Sequence, residues 1–219
     1  MHHRAPRIST VLLFAVAACA SGGSLQDGPD QTETMNAWIE RVRVESERAR
    51  QAVSDSFGRL DTIAARHFDK ESAASSYALF VQSIDATEQQ ARRFREVVEP
   101  MLAAAQPMFE QRGAELRTMN NDRMRQRGEL RYAAAKERFD AISKSAVPAR
   151  DQFDGYVKAL RDHAAFLAHD LNASAIDDIQ DEVKAVARTA RELDHLMGSC
   201  QAAARAYIEQ TSLPSSPPR

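Results

Sequence analysis

The chain has 219 residues, 43% hydrophobic, 27% charged and 6% aromatic, with only eight glycines and eight prolines. That is the length of one domain with too little turn punctuation for a β-sandwich or an α/β enzyme, so the composition predicts long helices. A formal charge of −2 and an isoelectric point near 6.3 exclude a global basic footprint for nucleic acid.

The chain opens on a sorting signal. Arg4 and Arg7, with His2 and His3 beside them, precede an apolar run from Ile8 to Ala18. These are the charged and apolar regions of a secretory signal, and the run is too short to span a bilayer. Val16-Ala17-Ala18-Cys19 is similar to the bacterial lipobox, in which an aliphatic and two small residues precede a cysteine that is lipidated and becomes the first mature residue. Residues 1–18 are therefore expected to be a signal peptide and Cys19 the lipidation site. Ordinary cleavage near Ala18 and an uncleaved apolar anchor are the alternatives. Two or more acyl chains on Cys19 would make attachment to membrane lipid stable. Ala20 stands where sorting rules would place Asp for inner-membrane retention. This implies the periplasmic face of the outer membrane, ahead of the inner membrane or the soluble periplasm. Residues 19–34, with Ser21-Gly22-Gly23-Ser24 and Gly28-Pro29, are expected to be the lipidated N-terminus and a flexible tether.

Four helices follow, at about 35–66, 70–118, 122–170 and 174–211. In the first, Trp38, Val42, Ala49, Val53, Leu60 and Ile63 return on one helix face. The second repeats every seven residues through Tyr77, Ile84, Ala91, Val98 and Ala105, is broken at Arg112 and resumes at Met119. The third runs through Tyr132, Phe139, Ala146, Phe153, Leu160 and Leu167 without an exception. The fourth steps by three and four through Ile176, Ile179, Val183, Val186, Ala190, Leu193, Met197, Cys200, Ala204 and Tyr207. Sustained heptads of this kind predict an all-α fold, an elongated antiparallel four-helix bundle with coiled-coil-like packing over 35–211. The tail at 212–219 is expected to be disordered. Cys200 is the only cysteine besides Cys19. Its place on the apolar stripe predicts a buried thiol that behaves as a small hydrophobe.

Pro100, Pro107 and Pro148 each lie two residues after a core position, on an outward slot. Pro100 and Pro107 lack the N–H that would reach Glu96 and Ala103, which predicts kinks or a short break between Glu96 and Pro107. Asp69 or Ser72 should cap the second helix, and Asn120-Asn121-Asp122 should carry the turn into the third. Ser174 with Asp177 three residues on resembles a capping box for the fourth.

Few residues suggest chemistry. A two-metal bundle would need two Glu-x-x-His pairs plus two glutamates, and the chain has one pair, Glu192 and His195, with His195 on the water side. His163 and His169 are six apart, on different faces, and His67 falls in a turn. No phosphate-binding loop or nucleophile elbow occurs. Accordingly no metal, cofactor, catalytic residue or enzymatic activity is expected. Two arginine clusters, Arg92, Arg93 and Arg95, and Arg123, Arg125, Arg127 and Arg131, could form a docking strip for anionic lipid or lipopolysaccharide. Solvated faces paired with nearby carboxylates is the reading preferred here. Met101, Met108, Met119 and Met124 are expected to fill the core or its seams.

Phe166-Leu167-Ala168-His169-Asp170-Leu171-Asn172-Ala173-Ser174-Ala175-Ile176, followed by Ile179-Gln180 and Glu182, resembles the signature of a family of uncharacterised proteobacterial lipoproteins, domain of unknown function 2959. The family pattern reads aromatic-Leu-x-His-Asn-Leu-Asn-Ala-x-Ala-Ile-x-x-Leu-Gln-x-Glu. Asp170 replaces an Asn, Gly155 stands where a Pro is expected, and there is no Gly-Gly between the first two helices. The resemblance implies a lipoprotein and a helical bundle, and no activity. As a set of residues the motif reads as a specified turn. Its alternative is an interaction tip formed by His169, Asp170, Asn172 and Gln180.

The expected function is that of a non-enzymatic helical scaffold or adaptor, anchored in the outer membrane, for another envelope protein. Nucleic acid is not an expected partner, and self-association stays open. The alternative is a periplasmic small-molecule-binding or sensory bundle whose core is loosened near Pro100 and Pro107. Undisturbed packing beside those prolines would count against it.

Overall fold

The structure, a computed structural model, describes residues 27–68 and 72–211, with side chains from Thr34 onward. The signal sequence, Cys19, residues 20–26 and the tail at 212–219 lie outside the described residues. Five helices make up the rest: α1 Asp27–Ala64, α2 Ala73–Thr118, α3 Asp122–His169, α4 Ala173–Asp178 and α5 Gln180–Thr211. None of them is long and apolar enough to cross a membrane.

The four long helices form an antiparallel bundle. α1 packs against α2 and α5, α3 packs against the same two, and α1 and α3 face each other across the diagonal. The stripes read from the sequence are the core. All ten positions from Ile176 to Tyr207 are buried, as are Phe139, Ala146, Phe153, Leu160 and Leu167 on α3 and Ile84, Ala91, Val98 and Ala105 on α2. Met35 and Ile39 extend the α1 stripe toward its start. At about 1.5 Å per residue, the 46 residues of α2 and 48 of α3 make a rod about 70 Å long.

Polar groups inside the body tie helices together. Tyr156 Oη on α3 donates to the Val53 carbonyl of α1 (3.1 Å) and meets Ser56 Oγ (3.1 Å). Thr87 of α2 donates to the Ala52 carbonyl (3.1 Å) and Gln90 to Glu45 Oε2 (2.7 Å). Cys200 is fully buried, within hydrogen-bonding reach of Ser46 and Ser145, and burial pushes its thiol up. An oxidation-resistant core residue is the consequence.

Four expectations need correction. Residues 27–34 are already helical, as the first part of α1, and are not tether. No break separates Glu96 from Pro107, since α2 is continuous across both prolines. Val98 and Met101 are fully buried there and Ala105 nearly so, and this packing holds the helix together despite two missing donors. The cap of the fourth helical segment is Asn172, whose Oδ1 accepts from Ala175 N (3.0 Å), so Ser174 lies inside the helix. That segment is also divided at Ile179. Gln180 Nε2 occupies the Ile176 carbonyl (3.1 Å), and a side chain inserted at that acceptor interrupts the ladder. Ser72 and Asn121 cap α2 and α3 as expected.

The bundle has four helices over only part of its length. Gln90 lies against Glu45, so Asp27, eighteen residues before Glu45, falls level with about residue 108 of α2. α5 ends at the same end, where Thr211 meets Asn36 (3.0 Å). Beyond Phe109, which packs edge-on against Tyr132 and Phe139 at 5.9 and 5.6 Å, α2 and α3 continue as a pair. No residue between Glu110 and Ala134 is buried. This two-helix arm projects about 15–20 Å past the body.

Candidate functional site

Three places on the molecule gather polar residues, and they differ in how far those residues are already engaged.

The first is the end of the body opposite the arm, where the signature motif lies. α1 ends in a Schellman turn: His67 N donates to Thr62 O and Arg66 N to Ile63 O, both at 3.0 Å. Arg66 has the left-handed backbone, φ 56°. Its guanidinium donates to the Ala173 carbonyl (2.7 Å) and pairs with Asp177. Of the expected tip residues, His169 and Asp170 are exposed at the end of α3. Asn172 caps α4 and donates to Asp170 Oδ1 (2.5 Å). Gln180 donates to the Ala64 carbonyl (3.0 Å), tying α5 to the end of α1. Leu171 and Ile176 pack on the core. The motif thus supplies a cap and a cross-tie, leaving the His169 side chain and Asp170 as its outward groups.

The second is a cleft of about 590 Å³ between α3 and α5. Gly155, Ala159 and Ala185 keep the two helices' facing surfaces low, and the Tyr156 ring and Val186 line the bottom. Asp162, Glu182 and Glu192 stand along the edges. His163 lines one end and is 8% exposed. Its Nδ1 lies 2.7 Å from the Ala159 carbonyl. That contact requires a proton on Nδ1, which leaves Nε2 of the neutral ring an acceptor, and it has no partner. Three turns away Gln152 donates to Glu192 Oε1 (3.1 Å), while its Oε1 is buried and unpaired. Burial pushes the Tyr156 hydroxyl up to about 12, against a smaller lowering effect of Ser56. A larger groove of about 760 Å³ runs between α1 and α2, but the buried Thr87 and Gln90 beside it are paired.

Spacing alone weighs His163 only as a metal-ligand candidate and sets it aside, because His169 falls on another face. The signal that places it is its position three residues after Leu160 and four before Leu167, on the inner face of α3. Glu192 and His195 are exposed on α5. Among the described residues no group of three or more His, Cys, Asp or Glu side chains is arranged to hold a metal ion.

The third is the arm. Residues 111–134 contain six arginines against three carboxylates in a chain whose formal charge is −2. The two arginine clusters differ in a way their composition does not reveal. On the body, Arg92 pairs with Glu88 (2.8 Å) and Arg95 with Asp154 (2.5 Å), while Arg93 has no carboxylate in ion-pair range among the described residues. Arg161 and Arg92 beside Glu88 hold its carboxyl below the usual range. On the arm, Arg125 pairs with Asp122 and donates to the Met119 carbonyl (3.0 Å), and no carboxylate among the described residues lies in ion-pair range of Arg117, Arg123, Arg127 or Arg131. Arg123, Arg127 and Arg131 recur every four residues on one face of α3, with Leu130 among them. Met119, Met124 and Leu130 are 38%, 61% and 74% exposed, so Met119 and Met124 do not fill a core.

One family model, described as a protein of unknown function, matches residues 26–211, the span of the five helices. No curated protein matches the chain.

Proposed function

The chain belongs to the DUF2959 family, whose function is unknown, and from that membership and the geometry above we propose that it is a non-enzymatic helical scaffold or adaptor. In this reading the chain is held by lipidated Cys19 at the periplasmic face of the outer membrane and engages another envelope component. The observation that carries the reading is the contrast between a closed body and an open arm. Some charged side chains of the body join helices, as in Arg50–Asp194 (2.8 Å) and Arg161 with Asp85 and Glu88 (2.6 and 2.7 Å). On the arm, Arg117, Arg123, Arg127 and Arg131 have no carboxylate in ion-pair range among the described residues, and Met119, Met124 and Leu130 are exposed, which leaves this surface open to meet something else.

The test is cross-linking in intact cells followed by affinity purification, comparing the native chain with Cys19→Ser. One discrete envelope partner, lost with the lipid, is the expected result. Self-links or background alone in both samples would sink the reading.

A second reading is favoured by the α3–α5 cleft. Two buried acceptors without partners, an apolar floor and carboxylates along the edges suit a ligand with an apolar body and protonated amine ends. In this reading the small-molecule site would lie away from Pro100 and Pro107, where the packing is closed. A screen of linear amines by thermal shift separates the two: a ligand whose stabilisation disappears in His163→Phe favours the cleft, and no ligand favours the scaffold.

A further inference from the structure

We propose that the arm is a membrane foot, in which Arg123, Arg127 and Arg131 bind anionic lipid headgroups while Met119, Met124 and Leu130 enter the headgroup layer. Three observations converge on a lipid surface as the occupant. The arginines have no carboxylate partner among the described residues, so they reach an anion without first breaking a pair. Their guanidinium groups suit phosphate, and their apolar stems can lie along a lipid interface. Beside them, exposed methionine and leucine side chains have no core to enter. Basic side chains interleaved with apolar ones on one face are the composition that holds a helix at an anionic interface.

The third observation is position. α1 begins at the arm end of the body, so residues 1–26 enter the fold there. From Cys19 to Asp27 the chain has eight residue steps, which reach at most about 28 Å. The arm projects about 15–20 Å in that direction. A lipid on Cys19 therefore lies within reach of the plane of the arm's tip and keeps the body from standing much farther off. The opposite end, with His169 and Asp170, then faces away from the membrane. This deepens the tethering reading and rests on it for the orientation of the rod, but the affinity of the arm for anionic lipid does not require acylation.

The experiment uses the full chain carrying Cys19→Ser and one reporter cysteine, Met124→Cys, labelled with an environment-sensitive fluorophore. Cys200 is fully buried and stays unlabelled. Vesicles of phosphatidylcholine alone are compared with vesicles containing one-third phosphatidylglycerol, and the apolar Ile8–Ala18 run is common to every sample. A blue shift on the anionic vesicles only is expected, reversed by salt and weakened about tenfold or more in Arg123→Gln/Arg127→Gln/Arg131→Gln. The same label at Asp170→Cys should stay silent. An unresponsive label at position 124, or an equal response in the triple variant, overturns the proposal and leaves the arm to a protein partner. Fatty-acid labelling of the native chain in cells reads the anchor separately. A responding arm with no acylation retains the foot and removes the anchor, and an acylated chain with a silent arm does the reverse.

Discussion

Two helices, α2 and α3, run through both the body and the arm, and the same apolar repeat runs through both. In the body, α2 and α3 are covered by α1 and α5, so Val98, Met101 and Leu160 are fully buried. In the arm the repeat continues through Met119 and Tyr132, but with two helices there is no enclosed core, and Met119 is 38% exposed. A heptad specifies which face is apolar, and the number of neighbours decides whether that face becomes interior.

The largest effect should come from one substitution made in each region. Leu160→Ala removes a fully buried side chain from the body and should cost about 2–5 kcal/mol. Leu130→Ala acts on a side chain that is 74% exposed and should change stability by less than about 0.5 kcal/mol. Urea unfolding of both variants measures the gap. A cost at Leu130 approaching that at Leu160 would mean that the arm is covered in solution, by a second copy or by the body of another molecule.

Alkaline pH should loosen the body and spare the arm. The folded pKa of Tyr156 is raised from 10 to about 12, so between those values the unfolded chain has released a proton that the folded chain still holds. Stability is then fully present below pH 10 and falls as pH rises toward 12, by about 2–3 kcal/mol from this group. Tyr207 and Cys200, also raised by burial, act in the same direction. Tyr156→Phe should cost about 1 kcal/mol at pH 7, through loss of the bond to Val53, and should flatten the decline measured by denaturant midpoints between pH 10 and 12.

Much of this fold was legible in the sequence because coiled-coil periodicity is redundant. Every position of the α5 stripe carries the same information, so no single residue decides the outcome. The overhang of α2 and α3 was already implicit in four unequal helix lengths, but a repeat that persists to Met119 conceals where its neighbours stop. Functional features were harder to see because they depend on partners distant in sequence. Arg92 and Arg127 look alike in the chain, and only Glu88 beside the first and the lack of a carboxylate beside the second distinguish them. His163 became a cleft residue only when Gly155 and Ala159 were set against Ala185 of another helix.

The two ends of the rod differ as well, and Arg66 tests how. The α1–α2 turn is cross-tied to α4 through Arg66, whereas the Met119–Asn121 turn of the arm is held by the nearby Arg125 and Asp122. A left-handed arginine costs about 1 kcal/mol relative to glycine, and its exposed ion pair contributes at most about the same. Arg66→Gly should therefore leave stability nearly unchanged. Arg66→Ala, which keeps the backbone strain and loses the tie, should lie about 1 kcal/mol below the glycine variant in chemical unfolding. Equal stabilities for the two would mean that the turn relaxes away from the left-handed geometry.

The smallest expected effect separates body from arm through glycine. Gly58 and Gly155 lie within helices of the body with open space where a Cβ would be placed. Alanine at either should therefore add about 0.5–1 kcal/mol through helix propensity and reduced unfolded-state freedom. Gly128 on the arm is different, because a Cβ there would come within 2.3 Å of Leu116 Cδ2. Leu116 is the side chain that fills the narrow seam between the two arm helices, so Gly128→Ala gains the same propensity only by displacing it. Thermal melts should show a rise for Gly58→Ala and Gly155→Ala, with no comparable rise for Gly128→Ala. Hydrogen exchange at residues 122–134 should quicken in the Gly128 variant alone, because the arm has no second layer of side chains to take up the displaced leucine.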